Sequence, residues 1–223
     1  MVAALTVVPV LWCTPAFSFH SITPDEVLDA GGIEVSLKKE DEINYVVGKV
    51  LINESPQKVW PVMTNPFEFQ GKISPRMREV KVVVDKTNYS LLKCCVHVGF
   101  FIPDVTYEVA SQYLPVQKVL FKRVGGDLRD FRGTWDMQPA CDGAKTELTY
   151  SMYIDPGIPV PQWLIREGVK SELPRLLTAL RERVNAVYLK HKALESHTIL
   201  AAANVSCSVA NSNLATNTRQ QSY

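Results

Sequence analysis

From about Val80 to Ile154 the chain repeats one pattern: apolar side chains at every second position, run after run, with turn residues between the runs. Alternation of this kind puts one set of side chains on each face of a strand and leaves one face apolar. Val80, Val82 and Val84 form one such set. Leu92, Cys94, Val96, Val98 and Phe100 form the next, with Lys93 and His97 opposite. Val105, Tyr107, Val109 and Tyr113 follow, then Val119, Phe121 and Arg123. Phe131, Gly133, Trp135 and Met137 make a fifth set, and Thr146, Leu148, Tyr150, Met152 and Ile154 a sixth. Turn chemistry separates them at 101–104, Leu114-Pro115, Gly125-Gly126-Asp127 and Asp142-Gly143. Five or six consecutive antiparallel strands with one apolar face need a partner layer.

That partner lies just downstream. Across about 161–190, Ile165, Val169, Leu173, Leu176, Leu177, Leu180, Val184, Val187 and Tyr188 recur in steps of three and four, while Arg and Lys occupy most of the other side. This is a long helix with one wide apolar stripe. Pro174 lies inside it, where it removes a hydrogen bond. The pattern predicts either a kink or a junction, with Ser171 capping a second helix. Upstream, residues 45–52 read as a first strand. Ser55-Pro56 then opens a short helix carrying Val59, Trp60 and Met63, and Pro66 opens another that ends near Gly71.

Residues 1–18 carry no charge and end in Ala16-Phe17-Ser18. They are expected to be an export signal cleaved near Ser18, which places the mature protein in a periplasmic or secreted location; an uncleaved membrane tether is the alternative. Residues 19–41 are expected to be a polar lead-in packed outside the domain, with Thr23-Pro24 starting a short helix. Residues 42–190 are the domain, and 191–223 are expected to be a disordered tail, rich in Asn, Ser, Ala and Thr.

The formal net charge of +1 gives no electrostatic case for nucleic acid. The five cysteines and four histidines show no metal-ligand spacing, so no metal is expected. Gly125-Gly126-Asp127 lacks the lysine of a phosphate loop, no nucleophile elbow is present, and no cofactor is expected.

Three segments carry a family resemblance: residues 54–65 (ESPQKVWPVMTN), residues 121–127 (FKRVGGD) with Gly133-Thr134-Trp135, and residues 142–150 (DGAKTELTY). In this order they resemble the START-like SRPBCC superfamily, near its polyketide cyclase/dehydrase and lipid transport family and its coenzyme Q-binding branch. The resemblance covers about 42–190 and implies an α+β helix-grip fold: a curved antiparallel β-sheet wrapped around a long C-terminal α-helix, with two short helices after the first strand. It also implies a cavity holding a lipid, quinone, steroid or polyketide. The expected ligand-binding residues are Val98, Phe100, Tyr107, Val109, Phe121, Phe131, Trp135, Tyr150 and Met152, with Arg123 or Arg129 meeting a carboxylate or carbonyl at the mouth. The alternatives are that these side chains fill a core and that the arginines form structural ion pairs, with Asp104, Asp127 and Asp130 as partners.

Three functions stay open. A non-catalytic carrier of a hydrophobic small molecule needs only the cavity. A cyclase or dehydratase needs a general acid/base such as Tyr107, Asp104 or Tyr150 with a shifted pKa. An interaction module has a filled core. The expected partner is the small molecule, with transient membrane contact, and the expected state is a monomer.

Overall fold

The structure, a computed structural model, describes residues 23–98 and 103–219. The export reading of residues 1–18 lies outside the described residues. A short helix α1 (Pro24–Asp29) leads in, closed by a reciprocal capping box between Thr23 and Glu26. Eight strands then build a single sheet: β1 (Ile33–Glu40), β2 (Ile43–Ile52), β3 (Met77–Lys86), β4 (Tyr89–Val96), β5 (Val105–Leu114), β6 (Lys118–Gly126), β7 (Asp130–Ala140) and β8 (Lys145–Asp155). Helices α2 (Pro56–Met63) and α3 (Pro66–Phe69) fall between β2 and β3, and α4 (Gln162–Arg219) follows β8. The strand order is β1-β2-β8-β7-β6-β5-β4-β3, antiparallel throughout. A curved antiparallel sheet, short helices after the first strands and a long C-terminal helix make this the helix-grip fold.

Three expectations are corrected. The lead-in is not wholly outside the domain, because Ile33–Glu40 pairs along its whole length with β2 and becomes an edge of the sheet. Ser171 does not cap a second helix. Helix α4 runs unbroken through Pro174, and the Ser171 hydroxyl donates to the Gly168 carbonyl 2.8 Å away. The apolar seam Leu173, Leu177, Leu180 and Val184 is almost wholly buried across that point. Burial of each leucine contributes roughly 1.5–3 kcal/mol, which offsets the cost of one interior proline. Finally, the helix does not stop near Lys190 in favour of a disordered tail but continues to Arg219. Residues 191–219 contain neither glycine nor proline, so nothing local ends it.

The alternation also misleads at one edge. Val80 is buried, but Val82 is 39% exposed, because β3 is the last strand of the sheet and the pairing with β4 is irregular between Val82 and Val84.

Helix α4 packs mainly on β2 and β1, with lesser contact to α2 and β8. Gly48 makes the close approach possible: a Cβ there would stand 2.7 Å from Leu173 Cδ2 and from Leu177 Cδ1. Polar contacts pin the helix at several points. Arg183 pairs with Glu68 of α3 through both its Nε and Nη2. Arg181 donates to the Gly31 carbonyl at 2.7 Å, and Glu172 accepts from Arg76 at 2.9 Å. The Glu68 carboxyl is held below its ordinary value, first by the Arg183 hydrogen bond and then by Lys72, against burial that pushes it up.

Candidate functional site

The main footprint of α4 covers one end of the sheet. The inner faces of β5, β6 and β7 lie beyond it, and there the side chains change from aliphatic to aromatic. Tyr107 of β5, Phe121 of β6, and Phe131 and Trp135 of β7 form a continuous cluster with Tyr150 of β8. Tyr107 and Phe131 stand edge to face with centroids 5.3 Å apart. Phe121 lies 5.0 Å from Phe131 and 5.9 Å from Tyr150. Trp135 stacks on Tyr150 at 3.7 Å with the rings nearly parallel. Phe69 of α3 closes the cluster against the edge of Trp135.

Backbone geometry shapes this surface. Opposite Phe121 the partner residue on β7 is Gly133, and a Cβ there would collide with the Ser151 carbonyl and meet Phe121 Cζ at 2.7 Å. The Phe121 ring therefore lies over bare backbone. A register shift between Glu108 and Val109 places Tyr107 opposite Gly126, whose φ of +94° suits glycine.

Polar groups punctuate the apolar face. The Tyr113 and Ser90 hydroxyls are 2.6 Å apart. Tyr107 meets the Cys94 thiol, which burial pushes up to about 11 while the contact with Tyr107 pulls it down. The Tyr107 hydroxyl is pushed well above its ordinary value, first by burial and then by the charges of Cys94 and Tyr150. Burial likewise raises Tyr150. Both phenols stay protonated across the neutral range and act as hydrogen-bond donors.

Arg123 shares the apolar phase, as expected, and lies opposite Val109. Its Nη2 donates to the Gly126 carbonyl at 2.8 Å, and its buried Nε bonds nothing among the described residues. None of Asp104, Asp127 and Asp130 pairs with it. Asp104 lies 2.7 Å from His97 Nδ1, Asp127 accepts from the Thr106 amide, and Asp130 pairs with Arg132.

The structure gathers Tyr107, Val109, Phe121, Phe131, Trp135 and Tyr150 on one surface, with Arg123 beside them, and places Val98, Arg129 and Met152 elsewhere. Val98 is not on a strand face. Strand β4 ends at Val96, Val98 is 38% exposed, and its carbonyl accepts from Arg76. Phe100 lies outside the described residues. Arg129 precedes β7 in the turn, with its side chain 68% exposed, and reaches Asp155 at 3.5 Å and the Gly157 carbonyl at 3.3 Å. It is the structural ion pair at a strand end. Met152 lines a separate, shallow, part-open cleft between the first turns of α4 and the strands β2 and β8, shared with Val46, Ile154, Ile165, Arg166 and Val169. His97 is half-exposed and bonded to Asp104. Among the described residues no three His, Cys, Asp or Glu side chains gather as metal ligands, and no helix is long and apolar enough to cross a membrane.

Sequence reasoning missed Phe69 and the Ser90–Tyr113 pair. Ser90 lies in the phase of Leu92 and Cys94, a polar residue at an inward position, and that was the available signal.

The sequence model of the polyketide cyclase / dehydrase and lipid transport family matches residues 45–185, well over half of the chain. The chain belongs to this family. The match is to the family as a whole and does not single out a coenzyme Q-binding branch. No curated protein matches the chain. Among solved structures, a STAR-related lipid transfer protein from Xanthomonas axonopodis aligns with a TM-score of 0.59 at 19% identity, over 69% of this chain and 94% of that one. Human STARD10 aligns at 0.57 and 11%, over 74% of each chain. The Zhui aromatase/cyclase from Streptomyces sp. R1128 aligns at 0.55 and 14%, over 63% and 93%. At these identities the likeness is one of fold.

Proposed function

We propose that this protein binds and carries a hydrophobic small molecule (a lipid, quinone, steroid or polyketide) against the aromatic inner face of β5, β6 and β7. The observation that carries this reading is the asymmetry of the sheet. The long helix rests on β1 and β2, and the face beyond it is walled by Tyr107, Phe121, Phe131, Trp135 and Tyr150. Aromatic walls with a few fixed polar groups suit an apolar ligand that must be oriented. Arg123, with no carboxylate partner among the described residues, is the cationic group at this surface.

Within the family description, the carrier reading is favoured over cyclase or dehydratase chemistry. Of the three acid/base candidates, Asp104 is engaged with His97 at the end of β4, outside the aromatic cluster. Tyr107 and Tyr150 are raised by burial and suited to donate a hydrogen bond, not to remove a proton at neutral pH. Gentle native mass spectrometry of protein from its own host, followed by solvent extraction, tests the proposal. A reproducible bound mass that resolves to an apolar compound supports it. A clean unliganded mass with no uptake from a total lipid extract contradicts it and favours the filled-core interaction module.

In this reading the carrier is a monomer exported after loss of residues 1–18, and it exchanges its ligand in transient contact with a membrane. The intact mass of the exported protein checks the export step: a mass that begins at Met1 contradicts it.

A further inference from the structure

Three tyrosines project from the inner face of the sheet near the aromatic cluster, and their hydroxyls are treated differently. Tyr113 is bonded to Ser90. Tyr107 meets Cys94. Tyr150 is 7% exposed, and no described residue hydrogen-bonds to its hydroxyl. Solvent reaches that hydroxyl, because the enclosed side-chain polar atoms left without a partner among the described residues are Arg123 Nε and Arg132 Nε, so it stays open to an acceptor from outside the protein.

Position sharpens the contrast. On β8, Tyr150 lies opposite Gly48 of β2 on one side and opposite Trp135 of β7 on the other. Gly48 is where Leu173 and Leu177 of α4 come down onto the sheet, and Trp135 begins the aromatic surface. Tyr150 therefore stands at the border between the helix-covered half and the aromatic half. Its ring is fixed by the Trp135 stack, so the hydroxyl is a positioned donor.

We propose that Tyr150 is the specificity-determining residue of this site: its hydroxyl donates to a carbonyl oxygen on the bound molecule, so the site selects oxygenated apolar ligands over oxygen-free ones. The inference rests on the binding reading above. A site that buries a donor rejects an analogue lacking the acceptor, because the donor is then left unpaired.

The test uses the full chain and a neutral fluorescent reporter, N-phenyl-1-naphthylamine. It is displaced by two matched pairs that differ in one carbonyl, 9-fluorenone against fluorene and 2-undecanone against undecane. In the wild-type protein the ketone of at least one pair displaces the reporter at roughly tenfold lower concentration than its hydrocarbon. Tyr150→Phe keeps the ring and its stack, stays folded by circular dichroism, and brings the two members of the pair level. Tyr45→Phe, on β2 and outside the aromatic cluster, leaves the preference in place. Reporter binding with no ketone preference in wild type, as expected if water satisfies the hydroxyl, overturns the Tyr150 assignment alone, and so does a preference that survives Tyr150→Phe. No reporter binding at all overturns the underlying binding reading.

Discussion

At one end of the sheet, Val46, Val50, Ile52 and Leu148 meet Leu173, Leu177, Leu180 and Val184 of α4 with almost no residual exposure. Beyond it, toward the middle of the sheet, Tyr107, Phe121, Trp135 and Tyr150 keep 7–9% exposure, and the two tyrosines carry hydroxyls on an apolar surface. The first surface interdigitates branched aliphatic side chains around a glycine, which is how a permanent core is built. The second is made of rigid rings with fixed polar tips, a poor way to close a core and a good way to orient a partner. One continuous sheet therefore divides its work. An aliphatic surface lies under the helix, and the aromatic surface proposed to bind the ligand lies beside it.

Leu177→Ala should give the largest effect. Its side chain is fully buried over Gly48, so truncation should cost about 2–5 kcal/mol in urea unfolding. A loss below about 1 kcal/mol would mean that the helix-covered half is not the stabilising one. Next in size, Glu68→Gln should cost about 1–2 kcal/mol by removing the charge that Arg183 and Lys72 hold. The pH dependence has a defined sign. The folded-state pKa of Glu68 lies below the unfolded one, so its contribution is complete above the unfolded value and is lost as pH falls through the folded one. Melting temperatures between pH 6 and 3 should fall less steeply in Glu68→Gln than in wild type, and parallel curves would contradict the assignment.

Smaller effects are expected across the aromatic half. Tyr150→Phe should change unfolding stability by less than about 1 kcal/mol, because the hydroxyl has no partner among the described residues to lose. Arg123→Ala should leave the fold intact and weaken binding of a carboxylate- or carbonyl-bearing ligand. Unchanged affinity in a folded protein would return Arg123 to a purely structural role.

How much of this was legible in the sequence differs by residue. Tyr107, Phe121, Trp135 and Tyr150 fell on one face because period-2 alternation is set by backbone geometry alone. The seam from Leu173 to Val184 was legible for the equivalent reason at helical period. Arg123 and Arg129 looked alike, since both share a phase with apolar neighbours. Only the turn before β7 separates them, swinging Arg129 toward Asp155. Val98 was misplaced because the alternation runs on past Val96, where the strand pairing stops. The course of α4 was hidden by Pro174, a local stop signal that long-range packing overrides. The footprint of that helix on β1 and β2, which decides where the site lies, depends on Gly48 meeting residues more than a hundred positions away, and no local pattern carries that.

The division of labour is tested most directly by two-dimensional NMR of the protein titrated with N-phenyl-1-naphthylamine. The account predicts that resonances of Tyr107, Phe121, Phe131, Trp135 and Tyr150 shift together on saturation, while those of Val50, Ile52, Leu177 and Val184 stay in place. Saturable shifts confined to the helix-covered residues, or no saturable shifts at all, would contradict it.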